Sequence, residues 1–132
     1  LDMAPPPNQS IAWLQEDVLE FDDYSKFDIL IANLFLHHFE NHEIDRWAQQ
    51  LDKRVRCLIV VEPWRHFLPA TLMRCAHPLV HPVTRHDSAA SIRAGFRDGE
   101  LPELMKLNSK TWETRETTVW RGAIRMVAWK DC

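Results

Sequence analysis

The sequence predicts an α/β fold in which parallel strands are followed by a C-terminal antiparallel hairpin. Two apolar runs, Phe27–Asn33 and Arg56–Val61, lack alternation with polar residues, as in strands buried on both faces of a parallel sheet. The segment between them has helical periodicity, so the three together predict a right-handed strand–helix–strand unit. Two strand-like segments near the C-terminus are separated only by Arg121-Gly122, and this short spacing predicts the hairpin.

Composition excludes several classes of protein. The 132 residues allow one domain, and the net charge of -3 with scattered basic residues argues against nucleic acid or an anionic membrane as partner. No apolar stretch approaches the roughly 20 residues that span a bilayer, and the acidic, Pro-rich start does not resemble a signal peptide. The three cysteines form no CxxC pair. We therefore expect a soluble cytoplasmic protein with free thiols.

The first half of the chain contains two predicted strands and one helix. Three prolines after Ala4 block both helix and interior strand. Ile11–Gln15 is a short apolar run typical of a strand, and Phe27–Asn33 is a stronger one. A helix is predicted over Asn41–Arg54, with Asn41 as its cap. Its apolar stripe at helical spacing consists of Ile44, Trp47, Ala48, Leu51 and Val55.

The second half contains three predicted helices and the hairpin. The strand Arg56–Val61 is stopped by Glu62-Pro63. The helices are His66–Ala76 with Pro69 in its first turn, a short helix capped by Asp87-Ser88 and ending near Gly95, and Gly99–Leu107. In the hairpin, Trp112–Trp120 is charged and should form the outer edge, whereas the apolar Gly122–Trp129 should lie against the sheet.

This order of elements resembles the class I S-adenosylmethionine-dependent methyltransferases, whose Rossmann-like sheet ends in a reversed hairpin. The segment Phe27–Phe39, with its sequence FDILIANLFLHHF, is similar to the fourth-strand motif of small-molecule methyltransferases. Gln15–Glu20 resembles the acidic segment after the third strand, and Val60–Pro63 resembles the end of the fifth. His86–Phe96, followed by Glu100-Leu101, resembles an inserted segment that covers the substrate in ubiquinone- and polyketide-type members.

The resemblance spans nearly the whole chain but lacks its most diagnostic part. Residues 1–132 match a partial domain, from the end of the second strand through the seventh, without the first strand or the GxGxG loop. The simplest account is a fragment of a longer protein. In this fold the first strand lies between the second and fourth, so its absence should leave Ile29–Ala32 as an exposed apolar edge. We expect that edge to aggregate, or to pair with a second copy or a partner chain.

The resemblance implies a set of cofactor contacts for S-adenosylmethionine. Asp2 would bind the ribose, by the same logic as the acidic residue of dinucleotide folds. Asp17 and Val18 would contact the adenine, and Asn33 and Leu34 would border the methionine moiety. The alternative for Asp17 and for Asn33 is a polar residue that only ends a strand.

Further residues are candidates for chemistry and substrate binding. His37 or His38 would be a general base or substrate contact, while the other packs or caps the next helix. Glu62, Arg65 and His66 follow the fifth strand and would face the same cleft. Arg85, with His86 and Asp87, would line a substrate lid, although a helix cap explains Asp87 equally well.

Three functions follow from these patterns. The first is methyl transfer to a small-molecule acceptor, on oxygen or carbon. The second is a non-catalytic, methyltransferase-like interaction module. The third, a dinucleotide-dependent oxidoreductase, is disfavoured because dinucleotide folds keep a parallel sheet. A metal site is not expected, since Glu43 does not complete an HExxH motif with the histidines, and no GxSxG motif indicates a serine hydrolase.

Overall fold

Four strands form one sheet in the computed structural model, which describes residues 11–51, 55–76, 78 and 81–130. In the order β1-β2-β4-β3, β1 pairs parallel with β2, while β4 pairs antiparallel with both β2 and β3. The predicted parallel unit, the closing hairpin and the polar outer strand are thus confirmed. The strands are β1 (Ile29–Asn33), β2 (Cys57–Pro63), β3 (Glu113–Val119) and β4 (Ala123–Trp129). The helices are α1 (Asn41–Leu51), α2 (Phe67–Ala76), α3 (Pro82–Ala94) and α4 (Glu100–Met105).

Gly122 makes the tight hairpin between β3 and β4 possible. Its φ is +103°, a left-handed conformation that only glycine adopts without strain. A Cβ at this position would also lie 2.8 Å from the Cβ of Pro69 in α2. Glycine is therefore required here both by the turn and by the helix packed against it.

One face of the sheet packs on α1 and α4 and forms the core. The predicted stripe of α1 is confirmed, because Ile44, Trp47, Ala48, Leu51 and the following Val55 are all buried. Alternate residues of the strands pack against this stripe, since successive side chains of a strand point to opposite faces of the sheet. These strand residues are Ala32, Leu58, Val60, Ile124, Met126 and Ala128, joined by Leu101 and Met105 from α4.

The opposite face of the sheet is largely uncovered. Ile29 and Ile31 of β1 are 58% and 65% exposed, so the prediction that this strand is buried on both faces was wrong. The neighbouring Cys57, Ile59 and Val61 of β2 are only half-buried. Among the described residues no helix packs on this side of β1, which is why apolar side chains remain in contact with solvent.

Two N-terminal predictions also differ from the structure. Ile11–Gln15 has no regular secondary structure and is exposed, because no strand of the described chain lies beside it to pair with. At the start of α1, Asn41 is the first helical residue rather than the cap. The Glu43 carboxylate instead accepts the Glu40 N–H at 2.8 Å, which is half of a capping box.

The helices α2 and α3 lie between β2 and α4 in the chain and pack against each other. This pair is here called the lid. α3 begins at Pro82, well before the predicted Asp87-Ser88 cap, because the His81 side chain accepts the Val83 N–H. α4 is shorter than the predicted Gly99–Leu107. No helix in the described part of the chain is long and apolar enough to cross a membrane.

Backbone pairing closes the base of the lid. Phe96 donates its N–H to the Pro63 carbonyl at 2.9 Å, and Arg65 donates to the Phe96 carbonyl at 2.8 Å. Gly95 permits this approach, since a Cβ there would overlap the carbonyl oxygen of Pro63. The two ends of the lid are therefore joined to each other and to the end of β2.

Candidate functional site

The carboxyl ends of the two parallel strands place Asn33 and Leu34 at one edge of the sheet. Asn33 is exposed and ends β1, and Leu34 donates its N–H to the Val61 carbonyl of β2 at 2.8 Å. Leu34 has φ of +52° and its side chain is 54% exposed. A left-handed leucine is uncommon, and such strain persists only where neighbouring contacts hold it in place.

Glu62 supplies those neighbouring contacts. Its side chain is fully buried at the end of β2. One carboxylate oxygen, Oε1, accepts the N–H groups of Phe35 and Leu36 at 2.8 and 2.7 Å. The other, Oε2, lies 2.7 Å from Nδ1 of His37. Successive backbone N–H groups form an anion-binding concavity, and Glu62 fills it. The chain leaving β1 is thereby fixed to the end of β2.

His37 and His38 differ sharply in their surroundings. The side chain of His37 is only 5% exposed and is held by Glu62. His38 is exposed, and its ring centroid lies 4.0 Å from that of His37. Both histidines belong to the single 3₁₀ turn Leu36–His38. His38 is therefore the solvent-accessible histidine of the pair, and neither residue caps α1.

The segment carrying Asp17 and Val18 is anchored to α1 through two aromatic side chains. The Tyr24 hydroxyl donates to the Val18 carbonyl at 2.7 Å and accepts from Nε1 of Trp47 at 2.9 Å. Burial raises the pKa of Tyr24, although the Trp47 hydrogen bond opposes the shift. Asp17 is exposed, with one carboxylate oxygen accepting the Leu19 N–H at 2.9 Å. Val18 lies beside Phe35, so this segment reaches the turn after β1.

Arg65 and His66 lie at the base of the lid. Arg65 pairs with both carboxylate oxygens of Glu100, each at 2.5 Å. Burial alone would raise the pKa of Glu100, but the Arg97 N–H and Arg65 together hold the pKa below its usual value. The His66 ring stacks on Trp64 at 4.1 Å and caps α2 by accepting the Leu68 N–H. That Arg65 and His66 face the same cleft as Glu62 stays a prediction.

Arg85 lies on α3, within a helix that touches the turn containing His37 and His38. α3 thus approaches the carboxyl end of β1, and Arg85 is half-buried. Asp2, the predicted ribose contact, lies outside the described residues. Among the described residues, no three His, Cys, Asp or Glu side chains are grouped so as to hold a metal ion.

Three features of the site were not predicted from the sequence. The buried Glu62 was expected to contact substrate, yet both of its oxygens bind protein groups. Alternation along β2 could have shown this, because Glu62 falls on the same face as Leu58 and Val60. The Tyr24–Trp47 anchor and the left-handed Leu34 left no sequence signal, since both depend on contacts across the fold.

Comparison with solved structures identifies the fold. A candidate O-methyltransferase from Nostoc punctiforme PCC 73102 superposes with a TM-score of 0.57 at 15% identity, over 89% of this chain and 35% of that one. Magnesium protoporphyrin IX methyltransferase from Synechocystis PCC 6803, solved with bound SAH, gives a TM-score of 0.53 at 16% identity, over 89% of this chain and 50% of that one. No family model and no curated protein matches the sequence. The chain therefore has the Rossmann-like fold of methyltransferases with an incomplete sheet, and spans half or less of either neighbour.

Proposed function

We propose that the chain is the C-terminal part of a class I methyltransferase, which transfers a methyl group from S-adenosylmethionine to oxygen or carbon of a small molecule. The observation that carries this proposal is the strained Leu34 backbone beside Asn33, held at the carboxyl end of β1 by the buried Glu62. Ligands of open α/β sheets bind at this end of the strands. A rigid turn at that position orients groups toward a ligand.

The residues at this end have the chemistry that the cofactor requires. The exposed Asn33 amide offers both donor and acceptor to the charged methionine part, with Leu34 beside it. The Asp17 carboxylate can accept hydrogen bonds from the N–H edge of adenine. The half-buried, apolar Val18 can pack against its flat face. S-adenosylmethionine supplies an already activated methyl group, so alignment and exclusion of water contribute most of the catalysis.

The remaining site residues surround the acceptor. His38, exposed above the fixed His37, removes a proton where the acceptor is a hydroxyl. Arg65, His66 and Arg85 border the acceptor from the lid and its base. Glu62 does not contact the substrate. It is a positioning residue, because its contacts hold the His37–His38 turn in place.

A further strand beside β1 would complete the site. The Asp28 carbonyl and the Leu34 N–H form hydrogen bonds with β2. Backbone groups of successive residues in a strand point to opposite sides, so those of Ile29, Ile31 and Asn33 point to the open edge. A cleft of about 230 Å³ runs beside that edge and is lined by apolar side chains, including Val18, Phe27 and Leu30. We propose that another polypeptide segment pairs there and brings the cofactor-binding loop.

Calorimetric titration with S-adenosylhomocysteine tests this function in the longest polypeptide that contains the sequence. Asn33→Ala should weaken binding about tenfold or more, the effect of losing a hydrogen bond to a charged group. Thr117→Ala is the matched control, because Thr117 occupies the same register on the far strand, β3. Absence of binding, or equal affinity of Asn33→Ala and the unmodified protein, would refute the proposal.

A non-catalytic interaction module is the second candidate, favoured by the exposed apolar edge of β1. Such a module would bind its partner along β1 without any affinity for S-adenosylhomocysteine. The same titration therefore separates the two functions.

A further inference from the structure

The lid differs from the rest of the chain in its charge. Although the whole chain has a net charge of -3, the stretch from Arg65 to Arg97 contains a single acidic residue, Asp87. Its basic residues are Arg65, Arg74, Arg85, Arg93 and Arg97. Three of these arginines, Arg74, Arg85 and Arg93, lie within the lid helices, while Arg65 and Arg97 flank them.

Two of these arginines share one cavity. Arg74 of α2 and Arg93 of α3 line a space of about 420 Å³ between the two helices. Its other lining residues are small or apolar: Ala70, Met73, Ala89 and Ile92. Arg65 is paired with Glu100, and Arg85 has a contact of its own. Within the described chain, neither Arg74 nor Arg93 forms an ion pair.

This cavity adjoins a second cavity beside the hairpin turn. Met73 and Ile92 also line a second cavity of about 390 Å³, whose far wall includes Arg121 and Gly122 of the hairpin turn. The Gly122 carbonyl accepts the Trp64 N–H at 2.8 Å, immediately after β2. α3 also touches the turn that holds His37 and His38. The second cavity, which shares Met73 and Ile92 with the first, thus reaches the hairpin turn at the end of β2.

We propose that the cavity between α2 and α3 binds a largely apolar molecule that carries a carboxylate or a similar small oxyanion. Arg74 and Arg93, both exposed at the rim of the cavity, pair with the anionic group, because a guanidinium group binds a carboxylate through two parallel hydrogen bonds. Met73 and Ile92 pack against the apolar part, as in most small-molecule sites. None of the six lining residues is among those that border the acceptor in the proposed function, so this site is separate from the site of methyl transfer.

Two probes of equal shape test the anion preference. The protein is titrated with 2-naphthoate and with its neutral analogue 2-naphthamide, both followed by ligand-detected NMR without cofactor. We expect the carboxylate to bind about tenfold more tightly, since charge-assisted bonds are roughly twice as strong as neutral ones. Equal affinities for the two probes, or no binding of either, would overturn the proposal.

Variants of the two arginines show whether the preference for the carboxylate arises in this cavity. Arg74→Gln with Arg93→Gln should abolish it, while Arg74→Lys with Arg93→Lys, which keeps the charges, should retain part of it. Arg115→Gln is the matched control on the exposed face of β3 and should leave both affinities unchanged. A preference that survives the double glutamine variant, or that Arg115→Gln removes, places the anion elsewhere and overturns the assignment.

Failure of the anion site and failure of the proposed function are distinguishable. The naphthoate experiment contains no S-adenosylhomocysteine, and the cofactor titration contains no anion probe. A preference for 2-naphthoate in a protein that does not bind S-adenosylhomocysteine would support the anion site and refute the methyltransferase function. The reverse pattern would support the function and refute the anion site.

Discussion

Among single residues, Glu62 shows how a buried charge organises a surface site. A carboxylate only accepts hydrogen bonds, so the Nδ1 atom of His37 carries the hydrogen between the two side chains. Together with the Phe35 and Leu36 N–H groups, this contact satisfies both oxygens of a fully buried side chain. Removing the charge would leave these buried donors facing a weaker acceptor.

Glu62→Gln should therefore destabilise the protein more than its small change in shape suggests. We expect the free energy of unfolding, measured by urea denaturation, to fall by about 2 kcal/mol, the contribution of hydrogen bonds to a charged group. Glu113→Gln, exposed on β3, is the control and should change it by less than about 0.5 kcal/mol. If the two variants are equally stable, Glu62 does not hold the turn after β1.

Among the elements, β1 is a parallel strand that has a neighbour on one side only within the described residues. Its inner face packs on the core through Ala32, whereas Ile29 and Ile31 are exposed on the other face. Open backbone groups next to exposed β-branched side chains favour pairing with another chain.

Self-association along β1 should consequently rise with concentration. Sedimentation velocity should show oligomers of the unmodified chain, and Ile31→Lys should shift the distribution toward monomer, because a charge on an edge strand opposes pairing. Thr117→Lys places the same charge on β3, the opposite edge, and should have no such effect. A monodisperse monomer at high concentration would contradict this account, as would equal association of Ile31→Lys and the unmodified chain.

The elements that were predicted correctly are those with local signals. The apolar runs of β1 and β2 and the glycine of the hairpin are readable within a few residues. Ile11–Gln15 has the same kind of pattern, but a strand exists only beside a partner. The start of α3 was missed because His81 is not among the usual capping residues.

The candidate site was predictable to a similar extent. The ends of β1 and β2 were predicted correctly, and this placed Asn33 and Glu62 near each other. The hydrogen bonds of Glu62 reach 25 to 27 residues back along the chain, and no local pattern specifies them.

At the scale of the whole molecule, the sheet is covered on one face and open on the other. Parallel sheets are normally covered on both faces by their crossover helices. The described part of the chain covers one face only, and the solved neighbours are at least twice as long as the part that superposes. Within the described residues, the open face and the open edge therefore meet at β1.

The central claim is that the cofactor binds at the carboxyl end of β1, and amide NMR tests it most directly. S-adenosylhomocysteine is added to the longest polypeptide that contains this sequence, and amide shifts are mapped residue by residue. We predict the largest changes at Asp17, Val18, Asn33 and Leu34. Binding that leaves these four amides unmoved would contradict the claim.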